Sequence, residues 1–319
     1  MKPKFWIASV TASMLLAGCG SSDTSDAGAA APATPASGGV EAAMGTASDL
    51  AMAAADTMGD GATAAAVLAA LGGDHRSEGA AARDLYRHPV ETLTFFGIKP
   101  TDTVIEVWPG GGTAWYTEVL APTLRSGRLI AAGYSSAGEG YFARAQTGFD
   151  AKLAARPDVY GNVETLVYQD PTSSDLGVAG AADAVLLFRL YHNAINNESE
   201  GDIMADAFAA LKPGGVLGVV QHRSPEDAPA ESERRDGYVK VSKVIADAEA
   251  AGFTLAAQSE VNANDADTHE HPEGVWTLAP SMALCDDDGD AMAYQTCVAE
   301  YRAIGESDRM TLKFIKPAA

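Results

Sequence analysis

Thr103-Val104-Ile105-Glu106-Val107-Trp108-Pro109-Gly110-Gly111-Gly112 is the stretch on which the reading of this chain turns. The run 103–107 is rich in β-branched side chains and lies between Pro100 and Pro109, which predicts a short buried strand. Three glycines follow it, and a helix is expected over 115–124. Glycines let the backbone come close to a ligand, and the first turn of a helix offers free N–H groups and a positive dipole end. A glycine triplet alone says little. Set between a strand and a helix, it marks a candidate ligand-binding turn.

The same alternation continues outward. A helix over 79–96, ended by Gly97, precedes the first strand. Further strands are expected over 128–132, 164–168, 182–188, 216–221, 253–258 and 310–315, with helices over 141–155, 201–211 and 238–251. Lys212-Pro213-Gly214-Gly215 stops one of these helices and Gly252 another. Strands alternating with helices predict a single α/β domain, a doubly wound and mostly parallel sheet with helices on both faces. Such sheets take ligands at the carboxyl ends of their strands, where the strand order reverses, so 106–112 is the prime candidate.

The first residues read as an address. Lys2 and Lys4 precede a run of about twelve apolar residues over 5–16, too short to span a bilayer. Leu16-Ala17-Gly18-Cys19 follows and resembles a bacterial lipoprotein signal. That resemblance implies a signal peptide over 1–18, lipidation of Cys19, and export. Gly20 in place of an aspartate implies the periplasmic side of the outer membrane. An ordinary signal peptide that happens to contain a cysteine is the plainer reading. The Ala/Gly/Ser/Pro-rich stretch over 19–73 is expected to be a flexible tether, and the folded domain to begin near Asp74.

Composition narrows the partners. The chain has 319 residues, 43 Asp and Glu against 22 Lys and Arg, and a formal net charge of −21. An acidic surface without a basic cluster disfavours nucleic acid, and membrane association is expected only through the lipid. In an exported protein the two remaining cysteines, Cys285 and Cys297, are expected to form a disulfide closing a loop of about a dozen residues. A metal–thiolate site is the rival reading. Asp286, Asp287, Asp288 and Asp290 sit in that loop but lack the spacing of an EF-hand.

The turn does not fit a dinucleotide fingerprint, because Trp115 stands where the third glycine belongs. A nicotinamide-dependent oxidoreductase is therefore disfavoured. Glu106-x-x-x-Gly110-x-Gly112 resembles instead motif I of the class I S-adenosylmethionine-dependent methyltransferases, and Leu211-Lys212-Pro213-Gly214-Gly215 resembles the segment before their fifth strand. Val163 to Asp170, Ala182-Asp183-Ala184-Val185-Leu186 and Ala250-Ala251-Gly252-Phe253 are similar to their later elements. A narrower likeness joins Arg83-Asp84-Leu85-Tyr86-Arg87-His88-Pro89, Phe95-Phe96-Gly97-Ile98 and Ser307-Asp308-Arg309-Met310-Thr311-Leu312-Lys313-Phe314 to a family of often exported bacterial methyltransferases. The resemblance covers roughly 75–317. It implies a seven-stranded sheet with an antiparallel last strand, S-adenosyl-L-methionine as cofactor, and a small-molecule or peptide substrate.

By that resemblance the cofactor set is Glu106, Pro109, Gly110, Gly111 and Gly112, with Gly133 at the end of the second strand and Asp170 at the end of the third. Arg189, just past the fourth strand, is placed to meet a ligand carboxylate. Two residues depart from the pattern. Trp108 stands at the first motif I glycine, and Gly133 stands where an acid accepts the ribose hydroxyls, leaving Glu139 as a candidate substitute.

His192 and His222 follow the fourth and fifth strands and are candidate catalytic bases, with loop histidines satisfied by backbone groups as the plainer reading. His269, His271 and nearby aspartates allow a metal site on paper, but no metal is expected. Trp115 and Tyr116 are expected to pack a helix on the sheet. Arg83, Arg87 and His88 are open to surface pairing or to capping the ligand. The segment 260–307 is expected to cover the crevice. Three functions follow: a methyltransferase, a non-catalytic ligand- or metal-binding lipoprotein on the same fold, and, least favoured, the oxidoreductase.

Overall fold

In the computed structural model, which describes residues 61–110, 113–172, 175–229, 234–286 and 288–318, the run Thr103–Val107 is the central strand β1. It pairs in parallel with β2 (Arg128–Gly133) on one side and β4 (Ala182–Phe188) on the other. Outside these lie β3 (Val163–Val167), β5 (Leu211–Ser224), β7 (Thr254–Ser259) and β8 (Arg309–Ile315). The order is β3-β2-β1-β4-β5-β8-β7, and a two-residue strand, β6 (Val239–Lys240), adds to the end of β5. β8 is antiparallel to both of its neighbours. This is the doubly wound class I methyltransferase-like sheet that the resemblance implies, with one short strand added.

Side chains alternate across the strands, and both faces are covered. One face carries Ile105, Val107, Val185, Leu187 and Val219. It packs on α5 (Glu200–Ala210) and α6 (Val241–Ala250) through Ile203, Met204, Val244 and Ala248. The other carries Val104, Leu129, Ala184, Leu186 and Val220. It is covered by α1 (Gly61–Leu71), α2 (Pro89–Phe96) and α3 (Trp115–Thr123). α4 (Tyr141–Ala155) closes the β2 side through Phe149 against Ala131, and α7 (Ala291–Ile304) belongs to the long connection between β7 and β8.

Three boundaries differ from expectation. The folded part begins before Asp74: α1 buries Val67 completely and Ala64 and Ala70 almost so, against α2 and α3. Alanine favours helix and loses no side-chain entropy, so this segment docks where composition suggested tether. The helix expected over 79–96 is split into Ala81–Arg83, Asp84–Arg87 and α2, with His88 left-handed at φ 40° and ψ 57°. Pro89 is the cause, since its ring crowds the preceding residue out of the right-handed helical region. β5 starts at Leu211, with the Lys212-Pro213-Gly214-Gly215 turn absorbed as a register shift opposite Ala182 and Ala184. The signal segment, Cys19, Gly111 and Gly112 lie outside the described residues, among which no helix is long and apolar enough to cross a membrane.

Close packing of α2 on β5 sets one requirement. A Cβ on Gly218 would lie 2.8 Å from Leu186 Cδ2 and 3.0 Å from Phe96 Cδ1. Gly218→Ala is therefore expected to lower stability by about 1–3 kcal/mol in urea unfolding, as overpacking does. Gly201→Ala, in α5 with no atom within 4 Å of the added carbon, is expected to be neutral or to stabilise by up to ~1 kcal/mol.

Candidate functional site

The strand order reverses between β1 and β4, because the chain runs outward from β1 through β2 to β3 and then returns to the other side. The loops leaving the two strands diverge there, and a crevice opens at their carboxyl ends. A cavity of about 320 Å³ occupies this place, at the small end of the range for ligand pockets. Glu106, Pro109 and Gly110 line it from β1, and Tyr134 and Phe142 from the β2 side. Arg189, His192 and His222 line it from β4 and β5, while Val275, Trp276 and Pro280 come from the segment over 260–307. That segment does lie over the crevice. Within it, Cys285 and Cys297 are bonded, with Cα atoms 5.5 Å apart.

The bend after β1 faces the cavity. Trp108, at φ 45°, adopts the left-handed backbone that a glycine takes without strain. Its surroundings hold it there. The indole N–H donates to the Tyr168 carbonyl at 2.7 Å, and the ring stacks on Tyr134 with centroids 5.5 Å apart. Tyr134 in turn stacks on Phe142 at 4.4 Å, giving a ladder of aromatic faces along the β2 side. Trp108 thus lines the cavity and does not fill it. Gly110, at φ 88°, has no heavy atom of the described residues, its chain neighbours apart, within 4 Å of where its Cβ would be, so the space before its backbone is open.

Glu106 sits beneath the bend, 1% exposed, and accepts a hydrogen bond from the Thr117 hydroxyl at 2.7 Å. Burial raises its pKa to about 8, with the Thr117 bond opposing, so the carboxyl is protonated at neutral pH. It is the only acid lining the cavity among the described residues.

The histidines form part of the opposite wall, their ring centroids 5.5 Å apart. Gln221 fixes the state of His192. Its Oε1 accepts from the Tyr191 N–H at 3.0 Å, so its Nε2 donates to the Gly237 carbonyl at 3.1 Å and to His192 Nδ1 at 3.3 Å. The neutral ring then carries its proton on Nε2. Burial lowers the His192 pKa to about 4. His222 is lowered well below the ordinary value by burial and then by His192, and its Nδ1 is hydrogen-bonded to the Ser307 hydroxyl. Both expected bases are therefore buried, neutral rings with one nitrogen engaged, and His192 presents a donor where a base was expected.

The largest feature of this wall escaped the sequence. Glu306 lies buried among arginines: Arg83 Nε at 2.8 Å, Arg87 Nε at 3.0 Å, Arg309 Nη1 at 3.0 Å and Arg189 Nη1 at 3.9 Å. Burial opposes its charge, but Arg87, Arg309 and Arg83 outweigh that and hold its pKa below the ordinary value. The Arg87 guanidinium also lies over the Trp115 ring at 4.8 Å. Arg83 and Arg87 line the cavity and are not surface pairs. Trp115 and Tyr116, expected as packing residues, are buried and also line it. The partners of Glu306 stand more than 200 residues away for Arg83 and Arg87, and no local motif signals such a contact.

Two expected cofactor positions lie elsewhere. A Cβ on Gly133 would meet Gln146 Oε1 at 2.4 Å, because that oxygen accepts the Tyr134 N–H at 2.9 Å and fills the space of an acid. Asp170 is exposed and outside the cavity, its Oδ1 accepting from the Thr172 N–H and hydroxyl. Glu139 is exposed and also outside it. His271 pairs with Asp267 at 2.9 Å and His269 with Asp308 at 3.4 Å. Among the described residues no group of three His, Cys, Asp or Glu is placed to hold a metal ion.

The chain matches no protein-family model and no curated protein sequence. It is similar in structure to the SpnF cyclase, at 17% identity and TM-score 0.47, over 78% of this chain and 86% of that one. It is similar to an O-methyltransferase family protein of Burkholderia thailandensis, at 14% identity and TM-score 0.46, over 75% of this chain and 58% of that one. A SAM-dependent methyltransferase of Aquifex aeolicus is similar at 18% identity and TM-score 0.44, over 56% of this chain and 86% of that one.

The raised Glu106 pKa of about 8 makes stability depend on pH. Below the unfolded value near 4.5 both states hold the proton. Above it the unfolded chain loses the proton and the native chain keeps it until pH approaches about 8. Stability therefore falls as pH rises through this window, by about 1.4 kcal/mol per unit at most. Unfolding of Glu106→Gln between pH 5 and 8 is expected to show a shallower fall than the parent. Parallel curves would mean that Glu106 titrates as an ordinary carboxyl.

Proposed function

We propose that this chain is an S-adenosylmethionine-dependent methyltransferase, exported and lipid-anchored through Cys19 at the periplasmic side of the outer membrane, acting on a small molecule or peptide. One observation carries the reading: the bend after the central strand opens the Gly110 backbone onto a cavity at the reversal of strand order. The residues present fit the cofactor. Phe142, at the outer end of the aromatic ladder, offers a face for a purine ring, and the Pro109-Gly110 backbone offers close approach for the chain beyond it. Neutral Glu106 can donate as well as accept a hydrogen bond, which suits a site without an ionised acid. When bound, S-adenosylmethionine supplies an electrophilic methyl group on a sulfonium.

The protein's share of the reaction is then orientation and exclusion of water. Trp276, Val275 and Pro280 cover the crevice and lower its dielectric, which strengthens each polar contact inside. His192, with its proton on Nε2, holds a hydrogen-bond acceptor of the substrate and does not remove a proton. A second reading, a ligand-binding lipoprotein without methyl transfer, is favoured by Gly133, where Gln146 fills the place of the ribose-binding acid.

Calorimetry separates the two. S-adenosylmethionine and S-adenosylhomocysteine are expected to bind, and Gly110→Val to weaken both by about tenfold, since a β-branched residue in the left-handed region costs ~1–2 kcal/mol. No heat from either ligand at millimolar concentration would leave the binding-protein reading. For the anchor, Cys19→Ala is expected to move the protein from the membrane fraction to the soluble one and to abolish labelling by a fatty-acid probe. Retention of both would remove the lipid anchor.

A further inference from the structure

The charge of the crevice is opposite to that of the chain that surrounds it. The chain's formal net charge is −21, yet the wall beside β4, β5 and β8 gathers four guanidiniums, Arg83, Arg87, Arg189 and Arg309, around the single carboxylate of Glu306. Three positive charges remain uncompensated there. Among the described residues the only acid lining the cavity, Glu106, is held protonated by its burial, and the two histidines are neutral. Positive charges brought this close repel one another and are costly to bury unless something negative completes the set.

Three polar atoms on this wall point to what completes it. Arg87 Nη2, Arg189 Nε and the Tyr116 hydroxyl are buried and find no hydrogen-bond partner among the described residues. Arg87 is 2% exposed and Tyr116 4%. All three residues line the cavity. Buried donors of this strength are paired in folded proteins, so their partner is a ligand that brings acceptors. Guanidinium forks match the planar or tetrahedral oxygens of carboxylates and phosphates.

We propose that the group transferred to in this crevice belongs to an anionic substrate, whose phosphate or carboxylate docks on Arg87, Arg189 and Tyr116. The term substrate rests on the methyltransferase reading; the anion site itself does not. The cofactor does not account for the wall. S-adenosylmethionine carries a sulfonium and an ammonium against one carboxylate, a net positive charge that the excess of arginines repels. The aromatic ladder of Tyr134 and Phe142 lies toward β2, and the arginines toward β4 and β8, so one crevice offers two chemically distinct halves. A cavity of about 320 Å³ restricts the anionic partner to a small molecule or to one side chain of a peptide. The excess positive charge, focused in a crevice on an acidic protein, selects anions against the repulsion of the outer surface.

The test is titration calorimetry and thermal unfolding of the folded protein with inorganic phosphate, ionic strength being held constant with sodium chloride. Phosphate is expected to bind and to raise the unfolding temperature beyond the chloride control. Arg189→Met is expected to weaken phosphate by about tenfold, as loss of a charged hydrogen bond does. Tyr116→Phe, which keeps the ring and removes the unpaired hydroxyl, serves as the second variant should the first fail to fold and is likewise expected to weaken phosphate. S-adenosylhomocysteine is expected to bind equally well with and without saturating phosphate. Phosphate no better than chloride overturns the proposal. So does displacement of phosphate by S-adenosylhomocysteine, which would assign the arginines to the cofactor's carboxylate. Phosphate binding without any S-adenosylhomocysteine binding leaves the anion site standing and removes the methyltransferase reading.

Discussion

The geometry of the crevice depends on one buried carboxylate. Glu306 stands just before β8 and ties together the segment ahead of α2, the residue after β4 and the start of β8 itself. Each of these comes from a different stretch of chain. Removing both charges from water costs several kcal/mol per ion, and only multiple well-aligned bonds offset this. Glu306 meets that condition, with the Arg87 Nε–H shared between its two oxygens and further bonds from Arg83 and Arg309. The arrangement fixes the guanidiniums of Arg83, Arg87 and Arg309, and among the described residues it leaves nitrogens of Arg87 and Arg189 unsatisfied. A wall built in this way is rigid before any ligand arrives, which reduces the entropy that binding must overcome.

The other half of the crevice is held by aromatic contact. A tryptophan in a left-handed backbone conformation is strained, and such strain persists only where neighbours over-determine it. Tyr134, Tyr168 and the ladder bond from the Trp108 N–H to Ala132 do so. The bend therefore keeps the course a glycine would give it. What changes is the surface: a broad indole edge replaces open backbone on the β2 side.

Much of the fold was legible in the sequence because its signals are local. The run over 103–107, the helix over 141–155 and the strand over 182–188 have the bounds expected of them, since hydrophobic patterning and proline or glycine stops act within a few residues. Alanine-rich α1 was not, because its polar content is low whether it docks or dangles, and only the apolar surface of α2 and α3 decides. His88 was misread through a single ring clash with Pro89. At the site, Glu106, Pro109, Gly110 and Arg189 line the cavity because strand ends locate them. Gly133 and Asp170, expected by resemblance, stand outside its lining, the first against Gln146 and the second exposed beyond it. Glu306 was invisible, since nothing near it in the chain distinguishes it from a surface acid.

The pairing of β7 with β8 has a further consequence. Because Ser259 and Thr311 are partners across that ladder, the whole excursion that covers the crevice leaves and rejoins the sheet at adjacent strands, about 5 Å apart. It is in effect a very long hairpin loop, and the entropy of closing such a loop grows only slowly with its length. Insertions, deletions or exchange within this lobe that keep Glu306 alter the roof of the crevice without changing the register of any strand beneath it. Selectivity and scaffold are thereby separable in this architecture, and descendants of the chain are free to acquire new specificities by rewriting one surface excursion.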